Sequence, residues 1–134
     1  MPMSVREATC RCGNLRATCM GDPVRVSVCH CLECQKRSGS AFAVQARWPD
    51  DRVELVGEAK LWSRVGDSGH LTTYRFCANC GSTIAYSSAG LPGITAITVG
   101  AFADPDFPAP RFSVYEKRKH SWIAIMGEGI EHLE

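Results

Sequence analysis

The sequence lacks the features that mark membrane proteins and nucleic-acid-binding proteins. No stretch approaches the run of about 18 apolar residues that a membrane-spanning helix requires. The formal net charge is only +1, so no overall attraction to nucleic acid or anionic lipid is expected. The short basic run at 117–120 follows Glu116 and is interpreted as a solvated strand end. We therefore expect neither a membrane nor a nucleic acid as a partner.

Several familiar catalytic and targeting motifs are also missing. There is no Gly-rich phosphate-binding loop, no Ser-His-Asp nucleophile elbow and no dinucleotide-binding fingerprint. The N-terminal segment Met1–Glu7 has no apolar stretch, so no secretory signal is visible. We therefore expect a cytoplasmic protein, in a reducing compartment where cysteines stay free or bind metals.

Helical periodicity of useful length is absent, which predicts a mostly β fold. Only Glu33–Ser38 has a pattern suited to a helical turn. Short strands separated by turn signals every 8 to 12 residues favour a sandwich-like or barrel-like arrangement of short antiparallel strands. No repeat or linker divides the sequence, so we expect one domain over 1–134 with its core at about 5–125. Beyond the segments that flank the first cysteines, the predicted strands are 24–28, 42–48, 53–57, 60–65, 71–76, 83–86, 94–102, 111–115 and 121–125.

What the sequence does have is eight cysteines, seven of them in three clusters. A pair of thiolates one or two residues apart is suited to chelate a soft divalent metal ion. The alternative is a disulfide framework, which eight cysteines can form in 105 ways. The compartment and the length of 134 residues both argue against that alternative. The clusters are Cys10 with Cys12, then Cys29, Cys31 and Cys34, then Cys77 with Cys80.

The first and third clusters together supply four sulfurs. Cys10 and Cys12 are followed by Gly13, and Cys77 and Cys80 by Gly81. Glycine at these positions permits positive φ and lets backbone N–H groups turn toward the sulfurs. A closed set of four thiolates is typical of structural zinc. We therefore predict one structural zinc held by Cys10, Cys12, Cys77 and Cys80.

The middle cluster supplies three sulfurs, and a catalytic zinc also has three protein ligands and one open position. We predict that Cys29, Cys31 and Cys34 hold this second zinc and form the catalytic site with His30. In an extended segment Cys29 and Cys31 point to one side and His30 to the other, so His30 is a neighbour or proton carrier rather than a ligand. Three thiolates make zinc a weak Lewis acid that suits a fourth thiol better than hydrolytic water.

The remaining conspicuous residues have simpler interpretations. Cys19 is predicted to be a small buried hydrophobe, although it would close the second metal site if it became a ligand. His70 and His132 are expected at the surface. The three tryptophans, Trp48, Trp62 and Trp122, are predicted to lie in the core or on a sheet face rather than in a cofactor cage.

The order and spacing of the clusters resemble one known family. The sequence has Cys-x-Cys, then Cys-His-Cys-x-x-Cys followed by Gly39 and Phe42, then Phe-Cys-x-x-Cys-Gly over 76–81. Together with the tail segment 114–118 and Trp122, this order of motifs is similar to that of the glutathione-dependent formaldehyde-activating enzymes. Their domain also occurs in centromere protein V. The resemblance implies a tent-like zinc fold with two zinc ions per chain in the two sites described above.

The same resemblance implies an activity, namely a carbon–sulfur lyase that adds glutathione to formaldehyde or reverses that addition. Its partners would be glutathione as a co-substrate thiol and an aldehyde, with a homodimer as one option for the assembly. Proton donors to the new alkoxide would be His30, Glu33 or Tyr74. Family members often have a basic residue after the third cysteine, where this chain has Gln35. Another thiol adduct, or a non-enzymatic zinc-stabilised binding module, is the alternative.

Overall fold

In the computed structural model, which describes residues 4–134, the chain is mostly β, as predicted. The first three residues of the segment Met1–Glu7 lie outside the described residues. The strands are β1 (Val5–Thr9), β2 (Arg16–Met20), β3 (Arg25–Cys29), β4 (Ala43–Pro49), β5 (Val53–Val56), β6 (Ala59–Val65), β7 (Leu71–Cys77), β8 (Thr83–Ser88), β9 (Ile94–Thr98), β10 (Phe112–Val114) and β11 (Glu131–His132). The helices are α1 (Leu32–Ser38) and short 3-10 turns at Asp50–Arg52, Val99–Phe102 and Glu116–Arg118.

The strands form two sheets, one of three strands and one of eight. The order is β1-β2-β5 in the small sheet and β11-β10-β3-β4-β9-β8-β7-β6 in the large one. The pairs are antiparallel as predicted, except that β10 runs parallel to both β3 and β11. Residue alternation along a strand reports its two faces and not its direction, so the sequence could not distinguish these parallel pairs.

The core lies between the small sheet and one face of the large sheet. On β2, Ala17 and Cys19 point inward and are fully buried. Trp48 of β4 is also fully buried, and its Nε1 donates a 3.0 Å hydrogen bond to the carbonyl of Gly21. Burial raises the pKa of the Cys19 thiol to about 11, which keeps it neutral. Cys19 is thus a small buried hydrophobe, as predicted.

The other face of the large sheet presents the polar and aromatic side chains. Strand pairing places Trp62, Tyr74 and Tyr86 directly opposite one another on β6, β7 and β8. Because directly paired residues share a face, their rings form a ladder with centroid separations of 6.0 and 5.4 Å. The pairing continues from Tyr86 across β9 and β4 to Arg25 at the start of β3. Because side chains alternate along a strand, Cys29, four residues after Arg25, lies on this face as well. Helix α1 also lies on this side, because the guanidinium of Arg37 sits over the Tyr86 ring.

The predicted strands at the C-terminal end of the sequence are partly wrong. The strand expected at 94–102 ends at Thr98 and continues as a 3-10 turn, and 121–125 forms no strand. The basic run at 117–120 begins inside a 3-10 turn rather than at a strand end. Trp122 is 74% exposed, packs edge-on against His120 and belongs to neither the core nor a sheet face. The predictions for Trp48 and Trp62 are confirmed.

Within residues 4–134, no helix combines the length and the apolar composition that a membrane crossing requires.

Candidate metal centres and the adjoining cavities

Four thiols from distant segments meet where the small sheet joins the large one. Cys10 and Cys12 lie in the turn between β1 and β2, and Cys77 and Cys80 lie at the end of β7. The four Sγ atoms all lie within 4.8 Å of one another, and Cys12 Sγ is 3.6 Å from both Cys10 Sγ and Cys77 Sγ. A tetrahedron with metal–sulfur bonds of about 2.3 Å has edges of about 3.8 Å. The group therefore fits a four-coordinate metal ion closely.

The backbone around this group is arranged to support thiolates. Gly13 and Gly81 have φ of +85° and +81°, and their N–H groups donate to the carbonyls of Cys10 and Cys77. These tight turns direct other amides at sulfur, so that the N–H of Leu15 lies 3.2 Å from Cys10 Sγ. Hydrogen bonds with Ser82 lower the pKa of Cys80 to about 5. Both glycines thus adopt the conformation that the sequence predicted.

The second group consists of Cys29, Cys31 and Cys34, whose Sγ atoms also lie within 4.8 Å of one another. Cys29 is buried at the end of β3, while Cys31 caps the N-terminus of α1 and accepts a hydrogen bond from the Cys34 N–H at 3.3 Å. Hydrogen bonds from the Cys29 and Cys34 thiols and from that amide lower the pKa of Cys31 to about 2. Cys31 is therefore the first of the three to ionise.

Within residues 4–134, no fourth ligand completes this second group. Among the described residues, no histidine, aspartate, glutamate or further cysteine lies with the three sulfurs. Cys19, which the sequence left as a possible fourth ligand, is buried in the core on the far side of the sheet. The group can therefore hold a metal ion while leaving one coordination position for another molecule.

His30 lies between two of these cysteines in sequence but points away from them. It is fully buried, and its Nε2 is 2.9 Å from Ser113 Oγ on β10. Burial lowers the pKa of His30, so its imidazole is neutral. Its Nδ1 has no hydrogen-bond partner among residues 4–134. The structure thus places His30 next to the three thiols in sequence and leaves it out of the group of three sulfurs.

Gln35 occupies the position at which the family resemblance implies a basic residue. Its Nε2 donates to the carbonyls of His30 at 2.8 Å and of Arg118 at 3.2 Å, and its Oε1 lies 3.0 Å from His120 Nε2. A lysine here could donate to the carbonyls but could not accept from His120. Gln35 therefore fastens α1 to the C-terminal turn and lines neither cavity.

Two cavities share a wall formed by Arg37, Gly81 and Thr83, and the larger one is also lined by Cys10 and Cys80. None of Cys29, Cys31 and Cys34 lines either cavity. The larger, of about 850 Å³, runs from the Cys10 and Cys80 turns toward Phe42. The smaller, of about 680 Å³, lies between α1 and strands β6 and β7. Both volumes fall within the range of small-molecule sites. Glu33 and Tyr74 line the smaller cavity, and His30 lines neither.

The tyrosine of the smaller cavity is electrostatically linked to the three-thiol group. Burial raises the pKa of Tyr74, and the nearby charges of Cys34 and Cys31 raise it further, against the effect of Arg37 and Arg64. Tyr74 therefore keeps its phenolic proton at neutral pH. Glu33, by contrast, has its carboxylate 3.8 Å from Arg64.

Of the residues singled out in the sequence, the structure brings the seven clustered cysteines into two groups and leaves His70 and His132 at the surface. Sequence reasoning missed Arg37, Tyr86 and Ser113. Arg37 had a signal, because in a helix it lies one turn after Cys34 on the same face. Tyr86 and Ser113 had none, because their proximity to the site depends on strand pairing.

Comparison with known proteins identifies a family and a similar fold. A family model for the glutathione-dependent formaldehyde-activating enzyme matches residues 5–118. The fold is similar to that in the crystal structure of a Rhodobacter sphaeroides protein, a structural genomics target, with a TM-score of 0.56 and 19% identity over 71% of this chain and 85% of that one. No curated protein matches the sequence. The match spans both thiol groups, and the chain belongs to the family of glutathione-dependent formaldehyde-activating enzymes.

Proposed function

We propose that the protein is a cytoplasmic, zinc-dependent carbon–sulfur lyase that forms or cleaves S-hydroxymethylglutathione. One observation carries this proposal. The group of Cys29, Cys31 and Cys34 has no fourth ligand among the described residues, yet a ligand-sized cavity lies on the same side of the sheet. An incomplete thiol set on the same face of the sheet as a cavity fits a site that accepts a substrate thiol, whereas two closed sites would fit a binding module.

Zinc is the metal that suits both groups. Thiolate ligands select soft ions, and the four-sulfur geometry matches tetrahedral coordination. Cys10, Cys12, Cys77 and Cys80 would hold a structural zinc, and Cys29, Cys31 and Cys34 the catalytic one. When bound at the three-thiol group, zinc supplies a positive centre that keeps a substrate thiol deprotonated.

The addition joins the glutathione sulfur to the formaldehyde carbon, while the carbonyl oxygen takes up one proton. Tyr74 is the donor that the geometry favours, because it lines the cavity and retains its proton. Glu33 is placed against Arg64 and is less available, and the His30 ring bonds Ser113 away from the cavity. In the reverse direction Tyr74 takes back the proton as the carbon–sulfur bond breaks.

The cavity walls would contribute to the reaction by positioning the two substrates. Holding the aldehyde against the sulfur converts a collision between free molecules into an attack within one complex. Trp62 and Tyr74 form an aromatic wall on one side of the cavity. The uncatalysed addition is already appreciable, so the expected acceleration is modest.

Exchange NMR of formaldehyde with glutathione tests the proposal directly. Zinc-loaded protein should raise the exchange rate above a protein-free control, and Cys31→Ser should abolish the increase while the protein stays folded. Cys19→Ala is the matched control, since Cys19 lies in the core and belongs to neither group. An exchange rate that stoichiometric zinc-loaded protein leaves unchanged would reject this substrate pair.

A further inference from the structure

The Arg37 side chain is held in place by contacts that leave one of its guanidinium nitrogens without a hydrogen-bond partner among the described residues. Its Cζ lies 5.0 Å from the centre of the Tyr86 ring, a cation–π contact that fixes the side chain on the sheet. Its Nη2 is shielded from solvent and has no hydrogen-bond partner within residues 4–134. A shielded, unpaired donor on a charged group is costly unless a ligand completes it. The orphan donor therefore points to an anion.

The position of Arg37 relative to the three-thiol group is set by helix geometry. Arg37 follows Cys34 by three residues in α1, which places the two side chains on one face with Cβ atoms about 5–6 Å apart. Arg37 also lines both cavities, and among the described residues no other charged side chain does so. A molecule whose sulfur reached the thiol group could therefore reach Arg37 with a group a few bonds away.

Further positive charge surrounds the smaller cavity. Its lining includes four cationic side chains and one carboxylate, that of Glu33, which lies near Arg64. The cations are Lys36, Arg37, Lys60 and Arg64. Trp62, Tyr74 and Phe76 form its apolar wall. This combination suits a small, flexible molecule that carries negative charge as well as a hydrocarbon backbone.

We propose that Arg37, assisted by Lys60, is the carboxylate-binding determinant of the substrate site, so that the site selects thiols that carry carboxylates. The inference rests on the proposed function for the location of the thiol. It assigns to Arg37 the positive charge that the sequence lacks at Gln35, because Gln35 is directed at the C-terminal turn. The planar guanidinium matches a carboxylate through two parallel N–H donors, which a lysine cannot reproduce.

The test measures binding rather than turnover, by calorimetry on the zinc-loaded protein. S-methylglutathione cannot form a thiolate, so its affinity reports the carboxylate contacts separately from the metal. Its diethyl ester lacks both negative charges and should bind wild-type protein at least about tenfold more weakly, because charge-assisted hydrogen bonds are lost. Equal affinity for the acid and the ester would overturn the proposal without any variant being made.

Variants then assign the effect to residues. Arg37→Met should weaken S-methylglutathione by about tenfold or more and remove the preference over the ester. Arg37→Lys should retain only part of the affinity for S-methylglutathione. Lys60→Met should lower that affinity by less than Arg37→Met does. Arg111→Met is the matched control, because Arg111 is exposed and lines neither cavity. Affinity within twofold of wild type for a folded Arg37→Met protein would overturn the assignment.

This result is separable from that of the proposed function. Equal affinity of wild-type protein for S-methylglutathione and its diethyl ester, with exchange activity intact, would refute only the role of Arg37. Selective binding of the acid with no exchange activity would support the carboxylate site and reject formaldehyde as the electrophile.

Discussion

Removing one thiol from each group should have very different consequences for stability. Cys77 is 1% exposed and, through Cys12, ties the end of β7 to the first hairpin across 65 residues of sequence. Cys31 is half-buried and ties the first turn of α1 to the end of β3, a few residues away. The first group therefore closes a long loop and the second a short one.

The chain-entropy relation used for disulfides gives the scale of this difference. Closing a loop of 65 residues contributes about 4 kcal/mol, and closing one of about five residues contributes about 2 kcal/mol. At roughly 4 °C per kcal/mol for a domain of this size, loss of the first link lowers Tm by about 15 °C and loss of the second by about 8 °C. Metal binding at a structural site adds on the order of 10 kcal/mol, comparable with the whole stability of a domain.

We therefore expect Cys77→Ser to give insoluble or thermally weak protein. Cys31→Ser should remain folded with about one zinc per chain, and serine at position 31 keeps a helix N-cap. Circular dichroism gives Tm, and elemental analysis gives the zinc content. Cys19→Ala controls for the loss of a buried thiol and should retain both metals. Equal loss of Tm from Cys77→Ser and Cys31→Ser would refute this division of roles.

Three further predictions follow from individual contacts. Tyr74→Phe should lower the exchange rate while leaving glutathione affinity and zinc content unchanged. Exchange NMR with calorimetry checks this. An unchanged exchange rate would exclude Tyr74 as the proton donor. Ser113→Ala leaves Nε2 of buried His30 without a partner and should cost about 1–3 kcal/mol in urea unfolding, whereas unchanged stability would show that the bond is unimportant. Burial raises the pKa of Glu116, but hydrogen bonds from His132 and Ser113 outweigh it and lower the pKa. The stabilisation from Glu116 is therefore present at neutral pH and is lost as the pH falls through the folded-state pKa of Glu116. His132→Leu should reduce the stability that the protein loses on acidification. An acid-unfolding profile identical to that of wild type would contradict this.

The sequence predicted the parts of this molecule that depend on local spacing. Cysteines with one or two residues between them were enough to predict both thiol groups, and Gly13 and Gly81 were enough to predict the turns of the four-thiol group. Short alternating segments were enough for most strands, because the period of two survives in half-buried strands. Side-chain alternation in an extended segment also favoured His30 as a neighbour of the three-thiol group rather than a member of it.

What the sequence did not predict depends on contacts between distant segments. The parallel pairing of β10 with β3 brings Ser113 to His30, and no local pattern records it. The ladder of Trp62, Tyr74 and Tyr86 requires the registers of three strands. From the sequence, Gln35 departed from the basic residue expected after the third cysteine of the substrate site. In the structure its side chain bonds Arg118 and His120, which lie more than 80 residues further along the sequence.

X-ray absorption at the zinc edge tests the central claim most directly, namely that one of two metal sites is closed and the other accepts a substrate thiol. Four sulfurs at one site and three at the other give an average of about 3.5 per zinc. Glutathione should raise this average to about 4, and S-methylglutathione should leave it unchanged. A sulfur number that does not change with saturating glutathione would contradict the account.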